Sequence, residues 1–328
     1  MNPRTLRRIL FVMLLGVLLY GGFALWRGVA EMHAALARFQ GMAFVLACAL
    51  AFGNYVLRYF KWEFYLACLE LRGIAKRDSF LTFLSGFVLT VTPGKVGEVF
   101  KSLVLFETYG IPVARTAPIV IAERVTDLLG IIVLIVLGSL GFRGGLAWAG
   151  VGATLVLSLL VVISSRPLSH AIIGMLQRLP GPFERLGPKL HDAYDSLAVL
   201  VSPRNLVFPT LLSVFAWSLE CLALWVILRG FGETVSVALS TFFYATSTLA
   251  GALIPVPGGL GVTEGSLQGQ LLELGHVGPA TSTAAMILVR FATLWFAVVV
   301  GFVALALLKV RYPRLMAAVA TDTEKAST

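Results

Sequence analysis

At 328 residues the chain is long enough for two or three soluble domains, but 58% of it is apolar and 13% charged, against about 45–50% and 25% in soluble proteins. Several apolar runs approach the ~20 residues that a helix needs to cross a bilayer, so an integral membrane protein is expected. The net charge of +9 does not imply nucleic acid, because the basic residues flank apolar spans; they read as topology signals, with some available to anionic lipid.

Arg4, Arg7 and Arg8 precede an apolar run that lacks a small-residue cleavage site, so this run is expected to stay as a helix. Full crossings are predicted at about 9–26, 40–60, 117–140, 146–163, 205–228 and 279–308. Two further apolar stretches are interrupted. Residues 79–92 and 97–107 flank Pro93-Gly94, and residues 237–254 and 263–275 flank Pro257-Gly258-Gly259. Most of these pieces are too short to span, which predicts re-entrant half-helices. Residues 164–204 form a linker in which Gly181-Pro182 and Gly187-Pro188 break a leucine periodicity, as expected of short amphipathic surface helices. Residues 311–328 form a polar tail.

The two interruptions repeat each other. Val91-Thr92-Pro93-Gly94-Lys95-Val96-Gly97-Glu98 is echoed by Val256-Pro257-Gly258-Gly259-Leu260-Gly261-Val262-Thr263-Glu264. Glu98 precedes Arg124 by 26 positions (124 − 98), and Glu264 precedes Arg290 by 26 (290 − 264). With both hairpins returning to the side they enter, basic residues divide seventeen to four. The cytoplasmic set is Arg4, Arg7, Arg8, Lys61, Arg72, Lys76, Arg77, Arg115, Arg166, Arg178, Arg185, Lys189, Arg204, Lys309, Arg311, Arg314 and Lys325. The outer set is Arg27, Arg38, Arg143 and Arg229, so both termini are expected in the cytoplasm. Repeat one, about 40–140, then lies upside down relative to repeat two, about 205–308. The fold class is therefore all-α: a polytopic membrane protein with about six full crossings and two broken-helix hairpins as inverted repeats, in one domain over 1–310.

Short, Gly/Pro-interrupted segments at matching places in inverted repeats point to a transport site near the midplane. Backbone that leaves a helix inside the bilayer must be buried in protein or line a wet cavity. The half-helices starting near Gly97 and Thr263 would present free N–H groups there, suited to phosphate or carboxylate. Lys95, Lys101, Arg124 and Arg290 add positive charge; Glu98 and Glu264 could cap their own half-helices, pair with the arginines 26 positions on, or carry protons. Glu123, Arg124 and Asp127 are either buried in their crossing or hydrated near its end, and Arg58 and Glu220 precede the hairpins as buried or snorkelling charges. Gly94, Gly97, Gly258, Gly259 and Gly261 would let backbone approach the ligand. Catalytic signals are weak: His33, His170, His191 and His276 have no metal spacing, and no nucleophile–base or phosphate-loop motif occurs. No enzyme, cofactor or metal is expected. Cys48, Cys68 and Cys221 read as buried free thiols.

Thr92-Pro-Gly-Lys-Val-Gly-Glu98, Glu123-Arg124-Val-Thr-Asp127, Pro257-Gly-Gly-Leu-Gly-Val-Thr-Glu264 and Arg290, in that order, resemble the flippase-like family named after the transmembrane region of lysylphosphatidylglycerol synthases. The resemblance covers about residues 5–310. It implies a bacterial inner-membrane protein, a homodimer, and movement of lipids between leaflets: aminoacylated phosphatidylglycerol in some members, polyprenyl-linked sugars in others. The chain ends near the last crossing, so the synthase activity of the longer members is not expected. The leading expectation is a flippase or scramblase for an anionic or zwitterionic lipid, whether phospholipid or polyprenyl phosphate. The alternatives are a proton-coupled transporter of a small anion and a membrane assembly scaffold.

Overall fold

The computed structural model describes residues 36–92, 96–140, 196–254 and 256–313, with the single positions 150, 151, 154, 158 and 315. The expected crossing at 9–26, most of the crossing at 146–163, of the linker 164–204 and of the tail, and Pro93, Gly94 and Lys95 lie outside the described residues.

Among the described residues the chain is helical, with no strand. Helix α1 is Gly41–Cys68; α2 is Lys76–Ser85, continued by a tight turn at Gly86–Leu89. A second tight turn, Val96–Val99, leads into α3, Phe100–Tyr109, and α4 is Val113–Ser139. The second half follows with α5, Pro203–Gly230, α6, Val237–Leu253, and α7, Val262–Glu273. Then come α8, Pro279–Arg290, a π-turn at Phe291–Trp295, and α9, Phe296–Arg311. Gly41–Cys68, Pro203–Gly230 and Pro279–Arg311 are long and apolar enough to cross a membrane. Helix α4 is as long, at 27 residues, but carries four charges within it. Helices α2, α3 and α7, of 10, 10 and 12 residues, reach only about 15–18 Å, well short of a ~30 Å hydrocarbon core.

The crossing expected at 40–60 continues to Cys68 as one helix, because its buried stripe continues: Ala47, Ala51, Tyr55, Arg58, Trp62 and Tyr65 recur at three- and four-residue spacing. This corrects the place of Lys61, which was counted among the cytoplasmic residues and is instead fully buried. The three cysteines are free, but only Cys221 is buried.

Helices α1 and α5 run antiparallel. A Cβ on Gly230 would touch Ala43 and one on Gly53 would touch Leu219; Asn54 Nδ2 donates to the Ala216 carbonyl at 2.8 Å and Lys61 Nζ to Ser213 Oγ at 2.8 Å. Around this pair the halves exchange partners. Helix α4 of the first half packs on α6 of the second, and α9 of the second half packs on α2 and the Gly86–Leu89 turn of the first. Glycines permit both approaches: a Cβ at Gly138 would lie 2.7 Å from the Phe242 nitrogen, and one at Gly301 would lie 2.7 Å from the Val88 nitrogen. One core cluster therefore joins hairpin one to Leu294–Leu308 residues, and the other joins hairpin two to Ile131, Leu134 and Ile135 of α4.

Residues beside the two interruptions meet. A Gly258 Cβ would lie 3.2 Å from Val91 Cγ1, and Leu260 packs on the cluster that contains Val91. At the other end of α2, ahead of the apolar stretch, Asp78 ties the first hairpin to the end of α9. Its Oδ2 accepts from Tyr109 (2.8 Å) and Tyr312 (2.6 Å), and Arg311 Nε sits 2.9 Å from Oδ1. Burial pushes the Asp78 carboxyl up, but the two tyrosine hydroxyls and Arg311 outweigh it and hold it below the usual carboxylate range.

A depressed folded pKa contributes stability above the unfolded value of ~3.9 that is lost as pH falls through the folded value. Asp78→Asn should therefore lower thermal stability at neutral pH and flatten the loss on the acid side, read from unfolding in detergent between pH 7 and 3. Gly301→Val should cost about 1–3 kcal/mol by overpacking against backbone, whereas Gly265→Ala, where nothing lies within 4 Å of the new methyl, should change stability by about 1 kcal/mol or less.

Candidate functional site

Charges removed from water must find partners inside the protein, and the helices converging on the tips supply them from both halves. Asp127, on α4, is the meeting point. Its Oδ1 lies 2.5 Å from Lys61 Nζ and accepts from Ser213 Oγ at 3.0 Å; its Oδ2 lies 3.3 Å from Arg124 Nη2 and 3.7 Å from Arg58 Nη2. Lys61 and Arg58 lie three residues apart on α1 and so face the same acid. Glu98, from the turn that opens the second arm of hairpin one, has Oε2 2.9 Å from Arg124 Nη2 and 3.6 Å from Arg58 Nη2. One turn below, Glu123 pairs with Lys101, whose ammonium sits over the rings of Trp62 and Phe83 at 4.8 and 5.3 Å.

Hairpin two repeats the theme differently. Gly258, Gly259 and Gly261 all have positive φ (62°, 69° and 83°), a path that side-chain-bearing residues rarely follow. Glu264, three residues into α7, accepts from the Gly261 N–H at 2.7 Å and from Arg290 Nε at 2.6 Å, while Arg290 Nη2 donates to the Gly258 carbonyl at 2.8 Å. Capping and pairing thus coexist at Glu264. Both acid–arginine pairs separated by 26 residues form. The π-turn after Arg290 loosens the helical ladder, and the Thr293 carbonyl accepts from Tyr55 at 2.8 Å. Helix α6 contributes Tyr244, whose hydroxyl donates to Glu220 Oε2 at 2.6 Å.

Beside Thr92 and Gly258 lies a cavity of about 240 Å³. Arg58, Arg124, Asp127, Glu220, Arg290, Gly258 and Gly259 line it, whereas Glu98, Lys101, Glu123, Glu264, Pro257 and Gly261 do not. Gly97 lies in the Val96–Val99 turn, and Lys95 with Pro93 and Gly94 lies outside the described residues. Glu123 and Asp127 are buried rather than hydrated, and Arg58 and Glu220 are 4% and 6% exposed rather than snorkelling. At about 30 Å³ per water, the cavity holds on the order of eight waters or one small headgroup. Exposed Ala252 and Leu253 form part of its rim.

The cluster is close to balanced. Among the described residues, Arg58, Lys61, Lys101, Arg124 and Arg290 face Glu98, Glu123, Asp127, Glu220 and Glu264, so ligand charge is not drawn in by a bare excess of one sign. What remains open is hydrogen-bonding capacity: Nε and Nη2 of Arg58 and Nε of Arg124 are buried without a hydrogen-bond acceptor, since the Arg58–carboxylate separations are too long for hydrogen bonds. The sequence reading missed Lys61, Ser213, Tyr55, Tyr244, Trp217 and Thr293. For Tyr55 and Lys61 a signal was present, in the apolar-aromatic stripe that carries α1 past residue 60.

Residues 13–301 match the sequence model of the family described as the lysylphosphatidylglycerol synthase TM region. Two relatives from Methanothermobacter thermautotrophicus, each named a UPF0104 membrane protein, are similar along nearly the whole chain. One is 23% identical over 320 residues, covering 90% of this chain and 94% of its own; the other is 23% identical over 306 residues, covering 88% and 90%.

Lys61→Met and Asp127→Asn should each destabilise the protein by about 3–5 kcal/mol, because each strands a buried charge or donor. The double variant should lose less than the sum of the two by at least about 1 kcal/mol. Strict additivity in detergent unfolding would show that the two side chains are not coupled.

Proposed function

Because the chain belongs to the family of the lysylphosphatidylglycerol synthase transmembrane region, we propose that it moves a phosphate-bearing lipid between leaflets, with the headgroup in the cavity between the hairpins. The observation that carries the reading is the wall itself: Arg58 and Arg124 from one half and Arg290 from the other converge on a headgroup-sized cavity whose rim is apolar and exposed. A small volume with apolar Ala252 and Leu253 at its edge suits a lipid whose head enters while its acyl chains stay in the bilayer. Phospholipids and polyprenyl phosphates share this chemistry.

In this reading α2–α3 and α6–α7 are re-entrant hairpins of two inverted repeats, and one repeat rocks against the other around the site. Glu98 and Glu264 hold the arginines when no phosphate is bound and yield them when one arrives. The protein carries out transport and no catalysis. Both termini are cytoplasmic in a bacterial inner membrane: the basic bias, seventeen less Lys61, is still sixteen to four. A proton-coupled carrier of a small soluble anion is the second reading, favoured by the small cavity volume.

The test is reconstitution into liposomes with a fluorescent phospholipid and an impermeant quencher. Glu98→Gln with Arg124→Gln, combined with Glu264→Gln and Arg290→Gln, keeps the buried charge balanced while removing the arginine donors. Lipid transfer should fall at least about tenfold, a barrier change of roughly 1.4 kcal/mol, with the variant still monodisperse. Unchanged lipid transfer would remove the site, and uptake of inorganic phosphate without lipid transfer would favour the second reading.

A further inference from the structure

A cavity shared by two halves opens where the ties between them part most readily. The ion pairs around Asp127, Glu123 and Glu264 each join residues of the same half. Asp78 with Arg311 crosses over: α2 belongs to the first half, and Arg311 closes α9 of the second. The Asp78 carboxylate also accepts from Tyr109, at the end of α3, and from Tyr312, directly after α9. One carboxylate, itself 1% exposed, therefore brackets both arms of hairpin one to the end of the last helix.

Helix α9 carries this bracket to the cavity. Arg311 lies 14 positions beyond Ala297 (311 − 297), about 21 Å along the helix at 1.5 Å per residue. Ala297 and, just ahead of α9, Leu294 line the cavity. Between Ala297 and Arg311, Gly301 lies against the backbone of Leu84 and Val88, and Ala304 and Leu308 are buried in the core cluster shared with hairpin one. On the hairpin side Phe87 lines the same cavity, and the Arg58 guanidinium sits 5.5 Å from the centre of its ring. A shift of α9 across α2 thus reaches Phe87 and, through it, Arg58. Immediately before α9 comes the π-turn Phe291–Trp295, where the helical ladder is weakened and a helix can bend.

Two other polar ties place the pivot. Asn54 to the Ala216 carbonyl and Lys61 to Ser213 join α1 to α5, with both donor side chains fully buried. Parting them would strand polar groups and a charge away from water, which is costly. At the bracket, Arg311 is 47% exposed, so water hydrates the partners as they separate and little is lost. The halves therefore part most readily at the bracket.

We infer that Asp78, Tyr109, Arg311 and Tyr312 form the latch of a gate. In this conformation the latch is closed. When it releases, α9 swings about the π-turn while α1 and α5 stay joined, and the cavity opens toward the end at which hairpin one begins. The inference rests on the transport reading above and supplies its moving part. Only hydrogen bonds and one ion pair are broken.

The test introduces Thr248→Cys, on the cavity wall, into the full chain with Cys48, Cys68 and Cys221 changed to alanine. Labelling by a membrane-impermeant thiol reagent is timed from each face of oriented membrane vesicles. Asp78→Asn with Tyr312→Phe should raise the rate at least about tenfold from one face only, the cytoplasmic face on the topology above. Tyr312→Phe alone, a milder change, should raise it about threefold from that face, as expected when the closed state loses one hydrogen bond. Equal increases from both faces would mean a loosened fold, and no increase would mean that the bracket does not gate; either result overturns the inference. In a second arm, Asp78→Cys and Tyr312→Cys are joined by a short reducible cross-linker in the same background without Thr248→Cys. Transfer of a fluorescent phospholipid should fall at least about tenfold and return on reduction. Transfer that persists through the cross-link overturns the latch and leaves the lipid reading standing. One-sided labelling controlled by the latch in a protein that transfers no lipid supports the latch and sinks the lipid reading.

Discussion

The constraint on which this architecture depends is that charge buried away from water has to be closed by charge from another segment. Asp127 expresses it most fully. Lys61 is 66 positions away in sequence and Ser213 is 86 positions away on the other side, yet both reach the same carboxylate oxygen. Removing any one partner strands the rest in a low-dielectric interior, where an uncompensated ion costs several kcal/mol. The network therefore holds α1, α4 and α5 in one relative position. The glycines at 138 and 301 then let each half's last long helix lie directly on the other half's hairpin.

That exchange of partners creates the cavity. If each hairpin packed only within its own half, its tip would be covered by its own neighbours. Because the halves interlock, Val91 and Gly258 are brought together, and backbone that leaves helix there needs a polar environment, which buried arginines and carboxylates supply. The two tips solve the same local problem with different chemistry. Glu264 bonds the amide of Gly261 and one arginine, whereas Glu98 stands near two arginines and leaves them with donors to spare. The site is consequently uneven, with unfilled arginine donors beside hairpin one.

Much of this was legible beforehand. The two Pro-Gly interruptions mark the breaks between α2 and α3 and between α6 and α7, and the common spacing of 26 residues names both acid–arginine pairs. It does so because a half-helix, a short loop and part of the next helix bring two positions of each repeat side by side. Lys61 was misread for an instructive reason. A lysine near the end of an apolar run resembles a topology signal, and whether it is one depends on whether the helix stops there. Its continuation through Trp62 and Tyr65 is written in the stripe, but the acid that lets a lysine be buried lies in a different helix.

The sequence by itself determined that this chain lives in a membrane, that it is helical, that it carries two broken segments in matching halves, and which charges recur at matching places. Those properties follow from composition and from spacing along one segment, where neighbours three, four or 26 positions apart carry the information. Only the tertiary structure decided which charge meets which across helices, that Val91 meets Gly258, and that Glu220 and Arg58 line one cavity. Crossing position and register between distant helices arise from the packing of whole surfaces, and no local spacing encodes them.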